Sequence, residues 1–454
     1  MSDPTSQTLE HFQTTPLPQL EEEIKRGQHD QGLRDLFGEQ LAAEVQQMVN
    51  TPPQQVLSSD RPLVVLLPGI TGSTLRSNQG SVGLIWVGIT ALLAGHFPLL
   101  EVAPDGGDTG RANIVAGEPI ALYYLPLQLH LKYLGGCDVL TFPFDWRQTP
   151  DRVAEQLRGL LNRLNDPDGR KVHLVGHSMG GLVARCYCLR YPHEAQRLVE
   201  QVVMLGTPNY GSTEAVRNLI SGGETLLLAQ KLNHNNRALQ VARSFPSIYA
   251  MLPAPPDCYP DDAPLPYPFA SDGLDPYDIQ GYQIDGVSRP LMERAQSFYR
   301  SLAGQALPVP AQVIAGYDLP TRVGVSKDAR NNLPTFDFDA QISNLGDGTV
   351  PLASVVGIPD VNRYYIHKGK HSDLPLYGSV RGAVKDLVHH QIPDLPTSYQ
   401  SGAVLSGGDD PTIQTVPEAP LPGTLTQAQL DTIAERIRLG QATPEDLAAL
   451  AKFA

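Results

Sequence analysis

Residues 171–191 read KVHLVGHSMGGLVARCYCLRY. Lys171–Val175 is a short apolar run suited to a buried strand, and Met179–Tyr191 has a helical pattern. Between them, Gly176-His177-Ser178-Met179-Gly180 fits G-x-S-x-G. That order of strand, sharp turn and helix is what the motif needs. The serine sits on a strained backbone, glycines on either side leave room for it, and its hydroxyl is exposed at the positive end of a helix. A Gly-rich turn that merely carries a serine would not need both the strand and the helix.

Working outward, further apolar runs suit strands buried on both faces: Pro62–Pro68 and Cys137–Phe142 before the turn, and Val199–Leu205, Ala311–Ala315 and Arg363–His367 after it. Helical spacing separates several of them, as in Asp151–Leu164. Alternating strands and helices predict an α/β fold with a mostly parallel sheet covered on both faces. The alternation breaks over 209–308, where seven prolines fall between Pro253 and Pro268, and again over 76–125. These read as an inserted cap and a smaller lid. The hydrolase-like body is expected over 61–400.

Beyond the body, 1–60 reads as an acidic extension in which apolar residues from Leu33 to Met48 share a helical face. Residues 401–424 are rich in Gly, Ser, Pro and Asp and read as a linker. Residues 425–454 read as a short helical pair, with Thr426 and Gln429 as a capping box and Thr443-Pro444 as the second start.

The chain has 454 residues and a formal charge of −14. Residues 1–60 hold ten acids and three bases, and 401–454 hold seven acids and three bases, so the body carries only −3. A nucleic-acid partner would need a basic face, which this balance opposes. Hydrophobic residues at 41% and charged residues at 18% exclude a wholly disordered chain. The four cysteines, Cys137, Cys186, Cys188 and Cys258, form no C-x-x-C pair and fit idle thiols in a reducing compartment. The N-terminus lacks the basic and apolar regions of a signal peptide. The uncharged stretch Ser77–Leu100 is broken by glycines, so a spanning helix is not expected. Cytoplasmic localisation is the expectation.

Ser178 is the expected nucleophile. A serine hydroxyl needs a base, and the base an orienting acid, in the chain order serine, acid, histidine. His371, in KGKHSD at 368–373, lies just past the last strand and suits the base. His367 falls within that strand, His389 and His390 on a helical stretch, and His173 and His177 precede the serine. Two acids compete on equal terms: Asp318, just after Ala311–Ala315, and Asp347, in a Gly-flanked loop. The oxyanion needs two backbone donors. These are expected at Met179 and, from the loop PGITG at 68–72, at Ile70. No metal or organic cofactor is required, and no Gly-Lys-Ser/Thr follows that loop to suggest phosphate binding.

Five segments, in order, resemble the lecithin:cholesterol acyltransferase-like family of α/β-hydrolases: LPGITGS (67–73), FDWR (144–147), GHSMGG (176–181), LGTPNYGS (205–212) and GDGTVP (346–351). FPSIYAMLP (245–253) resembles the family's cap segment, and the likeness runs from about Pro62 to about Gln391. The resemblance implies the α/β-hydrolase fold and assigns the triad aspartate to Asp347, leaving Asp318 at a non-catalytic strand end. It implies that Asp145 and Arg147 are a buried pair holding a loop. It also implies hydrolysis or O-acyl transfer of a lipid-like carboxylic ester, with water or an alcohol as acceptor and transient contact with a membrane or micelle surface. The chain departs from the secreted, disulfide-bridged members and looks like a bacterial-type cytosolic relative. Two rivals remain at this stage: a non-lipid esterase or thioesterase with the same triad, and a catalytically dead partner-binding scaffold.

Overall fold

A computed structural model describes residues 4–52, 60–79, 83–109, 112–164, 169–270, 274–278, 284–330, 333–399, 426–443 and 445–446. The apolar runs become six strands: β1 (Leu63–Leu67), β2 (Asp138–Thr141), β3 (Val172–His177), β4 (Val199–Leu205), β5 (Ala311–Tyr317) and β6 (Asn362–His367). They form one sheet in the order β6-β5-β4-β3-β1-β2, and every neighbouring pair is parallel. All five residues of β1, all six of β3 and all seven of β5 are buried, as continuous apolar runs require in a sheet covered on both faces. Strand order reverses around β1, which lies between β2 and β3. Such a reversal opens a crevice at the carboxyl ends of the strands.

Helix Pro150–Leu164 buries Val153, Ala154, Leu157 and Leu161 along one stripe. Helix Met179–Arg190 is buried from Met179 to Cys188, because sheet and neighbouring helices enclose it. The segment expected as a lid forms a small antiparallel sheet, with Ser73–Ser77 between Leu84–Trp86 and Ile114–Pro119. Trp86 is fully buried, donates its indole N–H to Thr71 O at 3.0 Å and packs edge-on against Trp146. Arg147 donates Nε and Nη2 to the two carboxylate oxygens of Asp145 at 2.8 and 2.7 Å. Through Nη2 and Nη1 it also reaches Asp108 and Leu100 O, so the buried pair does hold the 100–108 loop. The cap segment supplies helices Thr213–Ile220, Gly223–Leu232, Ala238–Ala242, Pro246–Ala250 and Arg289–Leu302.

The 1–60 segment contains helices Pro4–Thr14, Leu17–Lys25 and Asp30–Asn50. The face expected from Leu33 onward is interrupted at Gly38, whose φ of 75° kinks the helix. Phe12, Leu20, Ile24, Leu33, Val45 and Met48 nevertheless share the body's core. Glu21 pairs with Lys132 at 2.5 Å and Glu44 with Arg381 at 2.6 Å, so apolar packing and ion pairs both join this segment to the body.

At the other end, helix Gln427–Leu439 carries the expected capping box, and Gly440 closes it in the left-handed conformation. Leu430, Ile433, Ala434 and Ile437 are buried, the helix packs on Gly223–Leu232, and Asp431 pairs with Lys231 at 2.5 Å. The linker expected over 401–424 and most of the second terminal helix lie outside the described residues.

Candidate active site

β3 ends at Ser178, whose φ of 51° and ψ of −123° make a sharp turn before helix Met179–Arg190. A non-glycine residue held there costs about 1–3 kcal/mol, so the surroundings must fix it. They do so by close approach. A Cβ on Gly176 would lie 2.5 Å from Gly181 N, and one on Gly180 would lie 2.2 Å from Leu67 O. Backbone cannot yield at those distances, which explains glycine at both flanks. Ser178 N donates to Leu205 O at 2.9 Å and ties the turn to β4.

The loop Gly346–Pro351 brings Asp347 under this turn. Thr321 Oγ1 accepts from Gly348 N at 2.9 Å, and Leu319 N donates to Gly346 O at 3.1 Å. Asp347 is fully buried. Its Oδ1 accepts from the backbone N–H groups of Thr349 and Val350 at 3.0 and 2.7 Å, and its Oδ2 lies 2.7 Å from His371 Nδ1. His371 opens the short turn after β6. Its backbone N–H donates to Asp347 O at 3.0 Å, and its Nε2 lies 3.0 Å from Ser178 Oγ. One line of hydrogen bonds therefore connects a buried carboxylate, an imidazole and the hydroxyl at the elbow.

The structure separates the two acids left open by chain order. Asp318 pairs instead with His367 Nε2 at 2.8 Å, and its side chain is 44% exposed. His389 Nε2 bonds Gly135 O and His390 lies beside Glu200, so neither approaches Ser178. Met179 opens the helix directly after the serine. The loop 68–72 lies against the turn: a Cβ on Gly69 would meet Ser178 Cβ at 3.0 Å. Ile70, in that loop, is buried.

Two residues of the site escaped sequence reasoning. Tyr124, at the end of the lid segment, accepts the Gly69 N–H at 2.8 Å, and its hydroxyl lies 2.8 Å from His177 Nδ1. His177 Nε2 lies 2.9 Å from His371 O. Burial, with the charge of nearby His371, pushes His177 down to about 3, so its ring is neutral at ordinary pH. A neutral ring that accepts from Tyr124 at Nδ1 has its proton on Nε2 and donates it to the His371 carbonyl. The relay thus joins the 68–72 loop to the backbone of His371. Its partners lie 53 and 194 residues from His177 in the chain, beyond the reach of any local pattern.

Ser178 and His371 line a narrow cavity of about 10 Å³ with Ser212, Ile248, Met251 and Val350. Both are nearly sealed, at 4% and 6% exposure. Apolar side chains from the cap segment thus face the hydroxyl, with a few polar groups among them. A larger hollow of about 390 Å³, lined by Leu189, Ala250, Phe298 and Leu302 among others, holds none of these residues. The cavity beside Ser178 is therefore the one placed for chemistry.

Residues 131–264 match the family described as Lecithin:cholesterol acyltransferase. The mouse phosphatidylcholine-sterol acyltransferase is 25% identical over 355 residues, covering 67% of this chain and 78% of that one. The human enzyme of the same name is 24% identical over 234 residues, covering 41% of this chain and 53% of its own. The Arabidopsis thaliana protein named Phospholipase A(1) LCAT3 is 26% identical over 242 residues, covering 43% of this chain and 53% of its own. In these last two the match spans about half the relative's length. Among solved structures, a chain of the Tle4-Tli4 complex overlaps at a TM-score of 0.49 with 16% identity, covering 73% of this chain and 98% of that one.

Proposed function

We propose that this α/β-hydrolase of the lecithin:cholesterol acyltransferase type, an acyl-transferring or acyl-hydrolysing enzyme, acts on lipid-like carboxylic esters through a Ser178–His371–Asp347 triad. The observation that carries the proposal is the unbroken hydrogen-bonded line from Asp347 Oδ2 through His371 to Ser178 Oγ, at 2.7 and 3.0 Å. Ser178 Oγ attacks the acyl carbonyl while His371 Nε2 takes its proton. The backbone N–H groups of Met179 and Ile70 hold the oxyanion. The carbonyl re-forms, the ester C–O bond breaks, and His371 returns the proton to the leaving alcohol. Water or a second alcohol then attacks the acyl-enzyme with His371 again as base, giving hydrolysis or transfer. Asp347 keeps the imidazole in the productive tautomer and stabilises its charged form.

The lipid-like substrate is supported by the names of the relatives and by the apolar lining contributed by Ile248, Met251 and Val350. No helix among the described residues is long and apolar enough to cross a membrane. Four buried, unpaired thiols support a cytoplasmic setting, which cell fractionation tests.

The main test is incubation with mixed phospholipids, glycerides and sterols, followed by product mass spectrometry and labelling with a fluorophosphonate probe. The expected outcome is labelling at Ser178, long-chain acyl release or transfer, and higher activity on vesicles than on monomeric ester. Ser178→Ala should fold, escape labelling and lose at least about a thousandfold in turnover. Preference for short soluble esters without gain at a surface would favour the non-lipid esterase reading. A protein that never labels would be the dead scaffold.

A further inference from the structure

The N-terminal helices bring a second set of ligating side chains together, on elements separate from the Ser178 site. His11 lies on helix Pro4–Thr14, Glu23 on helix Leu17–Lys25, and His29 immediately before helix Asp30–Asn50. Their Nε2, Oε2 and Nε2 atoms all lie within 4.8 Å of one another. His11 Nε2 is 2.6 Å and His29 Nε2 is 3.1 Å from the same oxygen, Glu23 Oε2. The two imidazole rings face each other at 4.7 Å with a tilt of 36°.

We propose that His11, Glu23 and His29 form a binding site for a zinc-class divalent cation. The arrangement of the ligand atoms supports this. Both rings turn the same nitrogen inward, and both aim at one carboxylate oxygen rather than one at each. The other oxygen, Oε1, is occupied by the Gln19 side-chain amide at 2.9 Å, which orients the carboxylate and leaves Oε2 as a single ligand atom.

The dimensions and ligand types agree. Tetrahedral zinc with arms of about 2.0–2.2 Å sets its ligand atoms roughly 3.3–3.6 Å apart, a figure bracketed by the 2.6 and 3.1 Å contacts to Glu23 Oε2 and the 4.8 Å span of the whole set. Two nitrogens and one oxygen suit zinc and its transition-metal neighbours. Calcium and magnesium want more oxygens than this set supplies. The His11 side chain is 36% exposed, which gives an ion an approach and a place for water as fourth ligand. The two helices so joined span 11 and 9 residues, lengths that are marginal without tertiary support. The ion would hold them to the third helix.

The test uses the untagged full chain, dialysed against a chelator and titrated calorimetrically with zinc chloride. The expected result is one equivalent bound, a raised thermal midpoint, and a visible d–d band when cobalt replaces zinc. Glu23→Gln keeps the shape of the carboxylate, and His29→Gln keeps a polar side chain. Each should weaken binding by at least about tenfold. His11→Gln, at the most exposed ligand, gives the same reading if either of the others disturbs folding, with circular dichroism confirming the fold. His367→Gln, in the surface pair with Asp318, should leave binding unchanged. No stoichiometric binding to the parent chain, or affinity equal to the parent's in all three ligand variants, overturns the proposal.

Discussion

At Asp347 two backbone N–H groups and an imidazole converge on one buried carboxylate, whereas Asp318 has a single exposed partner. Asp347→Asn should lose about 10⁴-fold in turnover by disturbing the imidazole tautomer, while Asp318→Asn keeps most of it. Steady-state kinetics on the two variants check this, and the reverse pattern would overturn the assignment of the acid. Tyr124→Phe removes the hydroxyl that bridges Gly69 N and His177 Nδ1. If the relay positions the oxyanion loop, kcat should fall by about 10–100-fold with KM little changed, since the loss of one oxyanion donor costs up to about 10³. A rise in KM alone would mean that Tyr124 only shapes the cavity. Ser178 was legible in the sequence because its strand, turn and helix are contiguous. Asp347 and Asp318 were not separable from chain order, since both follow a strand, and only resemblance to a family distinguished them. His177 looked irrelevant because it precedes the serine. Its role is set by partners that only the fold brings near.

Among elements, the six strands were legible because strands buried on both faces are written as unbroken apolar runs. What covers a helical face is not written locally. The spacing from Leu33 to Met48 announces an apolar face, but not that it meets the body, and Gly38 breaks a helix that periodicity alone would continue. The terminal helix had a readable start and stop in Thr426 and Gly440, yet nothing named Gly223–Leu232 as its seat. Leu430 is 2% exposed there. Leu430→Ala should cost the docked helix about 2–4 kcal/mol, read as faster amide hydrogen exchange across 427–439. Unchanged exchange would mean that the helix frays from the cap in solution.

At the scale of the whole molecule, burial holds three histidines among the described residues neutral: His130 and His173 are pushed down to about 4, and His177 to about 3. In the unfolded chain each titrates near 6.5, so between about 4 and 6.5 the unfolded state binds more protons. The stability they contribute is therefore complete above 6.5 and is lost as pH falls towards 4. The slope is at most about 4 kcal/mol per pH unit if all three titrate together. Urea midpoints at pH 7.5, 6 and 5 check this, and a flat profile would mean that the buried rings accept protons without unfolding. The charge of −14 lies mainly in the two ends, and six of the twelve histidines lie at or before the end of β3. Neither fact, read from the sequence, identifies which imidazoles are buried.

The four cysteines are all buried and unpaired, and burial raises the thiol of each. An alkylating reagent can reach them only when the chain opens, so each added alkyl group becomes a clock tick. Cys258 belongs to the segment between β4 and β5, whereas Cys137, Cys186 and Cys188 lie in or beside the sheet layers. If all four react together, the chain breathes as one body. If Cys258 reacts first, the part above Ser178 lifts on its own, and the clock for that thiol also times how often the sealed hydroxyl is uncovered.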